Sequence, residues 1–360
     1  MGAPARKRAA LPELLLTWYR RARRDLPWRR TRDPYAIWLS EVMLQQTQVV
    51  TVIPYWHKFL ARFPTVEALA AAELPEVLSM WSGLGYYSRA RTLHRAANVI
   101  ANAHSGKLPK TAEALRELPG FGPYTAGAVA SIAFGQQTPI VDGNVVRVFA
   151  RLFEIEVDPG SREVQKQIWA LAGELVPEDS PGDFNQAVME LGATVCTPRN
   201  PTCLLCPVRE ACGALRSGRV DQLPSPKVRA LRKKLHRTSA IVLRDEKVLL
   251  GRRPDSGLFG GLWELPSVDG ARDALAAALG RGFTLGEVEA KVERTLTHRD
   301  LTFDLLRVRA PAKVKAIAPY VELRWVGRDD ARELGMATAM TACLEHVWPR
   351  AVAKRPKARR

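Results

Sequence analysis

The chain has 360 residues, with 54 Lys+Arg against 37 Asp+Glu and a formal net charge of +17. Its length suits two or three domains, and 46% hydrophobic residues exclude wholesale disorder. No apolar run approaches the roughly 18 residues of a membrane span, and five cysteines are too few for a disulfide scaffold.

Residues 1–8 read as a basic tail, without the apolar stretch of a signal peptide. Residues 9–212 read as a helical domain. Apolar side chains recur at helical spacing over 11–19, 36–50, 66–72, 90–103, 111–118, 125–134, 145–153, 164–176 and 184–195. Pro and Gly, among them Pro54, Pro64, Gly83 and Pro109, punctuate these runs. Residues 213–235 are basic and contain Pro224 and Pro226, which predicts a linker. Residues 236–350 change texture and predict a small α+β domain. Its expected strands are 239–243, 247–251, 263–265, 288–296, 301–308 and 321–325, with helices over 271–279 and 336–347. Residues 351–360 form a second basic tail.

The charge is concentrated. Residues 20–32 carry +6, residues 211–240 carry +7, and the two ends add +3 and +5, leaving −4 for everything else. The run at 20–32 is interleaved with Leu26, Pro27 and Trp28, a mixture suited to stacking plus phosphate contact. The expected partner is a polyanion, met by a soluble, cytoplasmic protein.

Four cysteines, Cys196, Cys203, Cys206 and Cys212, fall within 17 residues as C-x6-C-x2-C-x5-C. Four thiolates on one loop can enclose Zn²⁺ or a [4Fe–4S] cluster. Zinc ribbons pair two short knuckles and only one exists here, which favours the iron–sulfur reading. Upstream, Leu118-Pro119-Gly120-Phe121-Gly122-Pro123 joins two helical stretches. Gly120 and Gly122 permit a tight turn and close backbone approach, and Pro123 suits a first helical position. The N–H groups there can hold a phosphate without reading sequence.

Two carboxylates stand out. Glu41 sits among Trp38, Leu39, Val42, Met43 and Leu44, where desolvation would raise its pKa and make it a general acid. Periodicity alone would sooner make it an exposed or paired structural glutamate. Asp142 precedes Gly143-Asn144 and a helical run, and on local sequence reads as an N-cap.

The hairpin at 118–127, Val141-Asp142-Gly143-Asn144 and the cysteine loop together resemble the endonuclease III superfamily of helix–hairpin–helix DNA glycosylases. Leu26-Pro27-Trp28-Arg29, Ser40-Glu41-Val42-Met43-Leu44-Gln45-Gln46-Thr47 and Gly83-Leu84-Gly85-Tyr86-Tyr87-Ser88-Arg89 resemble, within it, the MutY-type adenine DNA glycosylases. The likeness covers nearly the whole chain. It implies an all-α glycosylase domain with an iron–sulfur loop and a MutT-like (Nudix) C-terminal domain. The implied activity is base excision repair: hydrolysis of the N-glycosidic bond of a flipped adenine mispaired with 8-oxoguanine or guanine in duplex DNA. It implies a [4Fe–4S] cluster on the four cysteines. In role, Glu41 would protonate N7, Asp142 would stabilise the oxocarbenium-like sugar, and Tyr124 and Asn144 would orient water and acid. Trp28, Arg29 and Gln186 would line the adenine pocket. Gln46 and Tyr87 would fill the vacated stack, and Gly120 and Gly122 would meet the backbone.

Tyr124 occupies the position where lyase members carry a Schiff-base lysine, which predicts a monofunctional enzyme. Residues 269–276 lack the paired glutamates of an active Nudix helix, which disfavours a pyrophosphohydrolase. The family reads 8-oxoguanine with an aromatic-Ser-His loop. This chain has Leu296-Thr297-His298, keeping a hydroxyl at Thr297 and the imidazole at His298 but losing the aromatic. The expected protein is a monomeric, nucleoid-associated enzyme with no membrane partner. The competing readings are a pyrimidine-directed glycosylase with lyase activity and an inert iron–sulfur DNA-binding protein.

Overall fold

The computed structural model describes residues 9–156, 161–225 and 231–348. The predicted basic tails and residues 226–230 of the predicted linker lie outside them. The chain divides into two units. Unit 1 is Met1–Ala71 with Thr92–Arg229, and unit 2 is Ala72–Arg91 with Ala230–Arg360.

Unit 1 is helical. Its helix Pro34–Leu44 starts where Asp33 accepts from the N–H groups of Tyr35 and Ala36, with Pro34 pre-set at the first position. All residues from Tyr35 to Met43 are buried, so this helix is apolar on every side and runs through the interior. It carries Glu41 with it. The sequence predicts one helix over 36–50, but the structure breaks it. Gln45 leaves helical space and Gln46 takes φ +59. A second helix, Val49–Arg62, follows and holds Pro54 in its interior rather than at its end. Pro54 is exposed, so its ring faces solvent and only one helical hydrogen bond is forfeited.

Pro34–Leu44 packs on Pro123–Phe134, and Gly143–Phe153 packs on Pro181–Thr194. Asp142 caps Gly143–Phe153 by accepting from the Val145 N–H at 2.8 Å, so the N-cap reading holds for its backbone role. The two helices come close because residue 192 is glycine: a Cβ there would sit 2.6 Å from Asn144 Cβ. Leu15, Phe149, Ile168, Phe184 and Leu191 fill the core between them. The cysteine loop continues from Pro181–Thr194 through two 3-10 turns, Cys203–Leu205 and Arg209–Ala211, to the short helix Gly213–Arg216.

Unit 2 is α+β, as the sequence predicts. Its strands are β1 (Lys233–Ile241), β2 (Leu243–Arg244), β3 (Lys247–Arg252), β4 (Trp263–Glu264), β5 (Ser267–Asp269), β6 (Thr284–Thr295), β7 (Arg299–Arg309) and β8 (Glu322–Val326). One sheet runs β5-β1-β7-β6, parallel only between β1 and β7; in the other, β3 pairs antiparallel with β2, β4 and β8. Period-2 alternation serves two cores. Ile241, Val248 and Leu250 meet helix Thr338–Val347 through Cys343 and Leu344, so Cys343 is a core residue. Ala240, Val242 and Leu249 meet Leu275 and Leu279 of helix Arg272–Leu279. Strand β1 starts inside the stretch predicted as linker: its first residues, Lys233 and Lys234, are exposed and basic yet pair in register with Arg299 and Asp300 of β7. A buried ionic knot ties β1 to β4: Arg237 donates to both Glu264 oxygens at 2.9 and 3.1 Å, with Arg253 and Tyr320 donating to the same carboxylate at 2.8 Å each. Helix Leu74–Met80, which the sequence reading omits, also belongs to unit 2.

Candidate active site

A pocket of about 620 Å³ opens in unit 1. Glu41, Tyr124, Asp142, Asn144, Trp28, Arg29, Gln186 and Gln46 all line it, although the sequence scatters them over residues 28–186. Glu41 is 6% exposed. Its Oε2 accepts from the Tyr124 hydroxyl at 2.8 Å. Burial pushes the Glu41 carboxyl up to about 7; the Tyr124 hydrogen bond opposes that rise without cancelling it. The Tyr124 phenol is itself pushed well above its ordinary value by burial, so it stays a donor. Its hydroxyl also lies 3.3 Å from Met189 Sδ.

Asp142 is held by two donors. Oδ1 accepts the Val145 N–H and Oδ2 accepts the Asn144 amide at 2.8 Å. Burial raises this carboxyl above its ordinary value while those donors oppose the shift. Arg147 holds Asn144 in turn, donating to its Oδ1 at 2.7 Å, to Gly192 O at 2.8 Å and to Cys196 O at 2.8 Å. Hydrogen bonds thus run without interruption from Asp142 to the cysteine loop.

Two residues of the wall escaped the sequence reading. Arg24 and Glu190 are 166 positions apart, and no local pattern joins them. Arg24 donates to both Glu190 oxygens at 2.8 Å, and Arg29 donates to Oε2 at 2.8 Å. Burial would raise the Glu190 carboxyl, but the two guanidiniums win and hold it down at about 2. Arg29, assigned by sequence to adenine, is therefore already committed on one edge. Trp28, in the 3-10 turn Pro27–Arg29, packs edge-on against Trp56 at 6.1 Å. Gln46 is exposed at φ +59, a costly conformation for a residue other than glycine.

Gly120 and Gly122 stand apart from this pocket, in the turn before helix Pro123–Phe134. Gly120 needs its φ of +79, and a Cβ there would meet Thr92 Cγ2. Gly122 has open space where a Cβ would be, and no side chain caps the helix.

The four cysteines converge on one small cavity of about 30 Å³ that they share with Arg151 and Arg209. Burial raises the Cys203 and Cys212 thiols and pushes Cys206 up to about 12. Thiolates at these positions need a bound positive centre, which is what a thiolate-ligated metal group supplies. Among the described residues, no group of three or more His, Cys, Asp or Glu is drawn tightly enough to hold a single metal ion. Arg151 grips the loop, donating to Cys196 Sγ at 3.3 Å, Thr197 O at 2.7 Å and Leu223 O at 2.8 Å.

The remaining predicted residues gather in unit 2. Tyr87, Thr297 and His298 line a cavity of about 470 Å³ with Tyr86. Thr297 and His298 are exposed at the tip of the β6–β7 hairpin, and Thr297 Oγ1 hydrogen-bonds the Tyr86 hydroxyl. Tyr87 is placed differently from its expected inserting role. It is 7% exposed, and its hydroxyl donates to Met336 O. Leaving that seat would cost a buried hydrogen bond. Tyr86 is half-buried at φ +48, with the Arg89 guanidinium 5.4 Å from its ring centroid.

Among the described residues, no helix is long and apolar enough to cross a membrane. Residues 39–174 match the HhH-GPD superfamily of base excision DNA repair proteins, and residues 238–346 match the NUDIX domain. The chain is similar to the adenine DNA glycosylase of Homo sapiens, 39% identical over 395 residues, covering 91% of this chain and 72% of the relative. It is 38% identical over 393 residues to the adenine DNA glycosylase of Rattus norvegicus, covering 91% and 75%. Among solved structures, a thermostable thymine-DNA glycosylase is 33% identical with a TM-score of 0.53, covering 59% of this chain and 98% of that one.

Proposed function

Because the chain belongs to the adenine DNA glycosylase family, we propose that it excises adenine opposite 8-oxoguanine, and more slowly opposite guanine, in duplex DNA. It does so as a monomeric, monofunctional N-glycosylase of base excision repair. The observation that carries the reading is the Glu41–Tyr124 pair: a buried carboxyl near pH 7 in a pocket that also holds a second carboxylate, Asp142.

The flipped adenine enters the pocket beside Trp28, Arg29 and Gln186. Glu41, protonated near neutrality, gives its proton to N7. The C1′–N9 electron pair then leaves with the base. The sugar is left electron-poor at C1′, and Asp142, oriented by Asn144 and Val145, faces that charge as a carboxylate. Water adds to C1′ and its proton returns to the Glu41 carboxylate. Tyr124 cannot form a Schiff base, so the strand stays intact. Gly120, Gly122 and the basic stretch at 20–32 meet the phosphates.

Cys196, Cys203, Cys206 and Cys212 would hold a [4Fe–4S] cluster, which orders the basic loop carrying Arg199 and Arg209 against DNA. Unit 2 reads the lesion with Thr297 and His298. Tyr86 is better placed than Tyr87 to enter the stack, with Gln46 beside the emptied site. The lack of a paired-glutamate helix argues against nucleotide hydrolysis by this unit.

The test is one strand-cleavage assay. Duplexes carrying A·8-oxoguanine, A·G, thymine glycol·A and G·T are incubated with the full chain and then treated with alkali. A break at the adenine of A·8-oxoguanine is expected, and none before alkali. Its absence, or a break only at the pyrimidines, rejects the reading. An enzyme–DNA adduct trapped by borohydride, which needs an amine of the chain as nucleophile, would reject the monofunctional part.

A further inference from the structure

The hairpin tip of unit 2 carries Leu296 where the resemblance calls for an aromatic. Three rings from elsewhere line the cavity there with Leu296, Thr297 and His298: Tyr86 and Tyr87, whose hydroxyls bond Thr297 and Met336, and Phe259, which has no polar group to commit. Phe259 and Leu296 also pack, half-buried, against the same core cluster. We infer that Phe259 supplies, from a separate loop, the aromatic surface that Leu296 lacks, and so determines specificity for the damaged purine. This rests on the lesion-reading role proposed for unit 2.

The backbone supports a side-chain purpose. Phe259 has φ +59, a region that costs a bulky residue dearly, while Gly257 and Gly261 beside it take φ +79 and +72 freely. A glycine at 259 would relieve the strain, yet the chain keeps a ring. The loop around it is firmly held. Gly261 N–H donates to Pro254 O at 2.9 Å, Leu262 N–H to Phe259 O at 3.1 Å, and Arg91 Nη1 to Gly260 O at 2.6 Å. Gly260 admits no Cβ, which would lie 2.6 Å from Asp255 O. Strain retained inside an over-determined loop is common where a ligand is clamped.

The occupant is a purine base, by shape and by chemistry. Phe259 offers a flat apolar ring, and Tyr86 a second ring over which the Arg89 guanidinium lies 5.4 Å from the centroid. The Thr297 hydroxyl and the His298 imidazole offer the few polar groups that distinguish an oxidised purine edge from guanine. No carboxylate lines the cavity to repel a nucleotide.

The experiment uses the full chain in single-turnover excision, comparing A·8-oxoguanine with A·G. Phe259→Leu is expected to lower the preference for the lesion about tenfold while the A·G rate holds. Phe259→Tyr should keep the preference. Leu296→Phe added to Phe259→Leu should restore most of it, because either position can present the ring. An unchanged preference in Phe259→Leu overturns the inference. So does an equal loss on both duplexes that Leu296→Phe fails to rescue. A wild type with no preference for 8-oxoguanine instead overturns the lesion-reading role itself, and this inference falls with it.

Discussion

The pocket of unit 1 and the cavity of unit 2 are comparable in size, about 620 and 470 Å³, and opposite in character. Three carboxylates, Glu41, Asp142 and Glu190, line the first. The second is lined by aromatic rings, hydroxyls and cationic or imidazole groups, with no carboxylate. The first pairs carboxylates that suit proton transfer and stabilisation of positive charge; the second has the rings and hydroxyls of the proposed recognition site. Within the first, two buried glutamates show that burial alone does not set chemistry. Glu41 has a neutral phenol for its partner and rises to about 7. Glu190 has two guanidiniums and falls to about 2. One is a proton donor in waiting and the other a permanent anion that braces the wall.

The largest effect should come from removing the proton itself. Glu41→Gln keeps the shape and can still accept from Tyr124, so mismatch binding measured by gel shift should survive. Single-turnover excision should fall about 10³-fold or more. Near-normal excision in that variant would move the acid elsewhere and dissolve the contrast with Glu190.

Titration comes next. Excision needs the protonated form, so the rate should fall about tenfold per pH unit above about 7. Stability carries the same signature with a definite sign. The folded Glu41 carboxyl lies above its unfolded value of 4.5, so folding favours the protonated form. Its contribution is fully present below about 4.5 and is lost as pH rises through about 7. Relative to wild type, Glu41→Gln should therefore gain roughly 3 kcal/mol at pH 8 and nothing at pH 4. Denaturant midpoints for both proteins across that range measure the difference and cancel every other group. A flat difference would mean that Glu41 is not desolvated.

Much of this was readable from residue patterns. Glu41 in an apolar helix, Asp142 before Gly143-Asn144 and the cysteine spacing each carry a local signal, and the structure sets the two carboxylates in one pocket and the cysteines around another. What escaped was non-local or stereochemical. Glu190 looks like any helix-surface charge until Arg24 and Arg29 arrive from more than 160 positions away. The helix Val49–Arg62 was hidden because the apolar pattern runs on across Gln46, where only the backbone turns. Tyr86 and Tyr87 are adjacent and chemically alike. They sit in the turn before helix Ser88–Ala103, where no periodicity says which ring faces the core, and the Met336 carbonyl holds Tyr87 there. Strand β1 was shortened because burial of Arg237 depends on Glu264, which no stretch of β1 reveals.

The smallest predicted effect is the sharpest probe of the division between the two regions. Thr297 is exposed and shares its hydroxyl with Tyr86, so Thr297→Ala removes one hydrogen bond and little packing. Stability should change by no more than about 0.5 kcal/mol. A net hydrogen bond of about 0.5–1.5 kcal/mol corresponds to roughly a 2- to 13-fold loss of preference for A·8-oxoguanine over A·G. The A·G rate should stay at its wild-type value, because the groups proposed to move protons, Glu41 and its partner Tyr124, lie in unit 1. An equal slowing on both duplexes would mean that Thr297 acts through the chemistry after all, and recognition and catalysis would no longer be separable by unit. An unchanged preference would leave the hairpin hydroxyl without a role in reading the lesion, and the burden would pass to His298 and the rings around it.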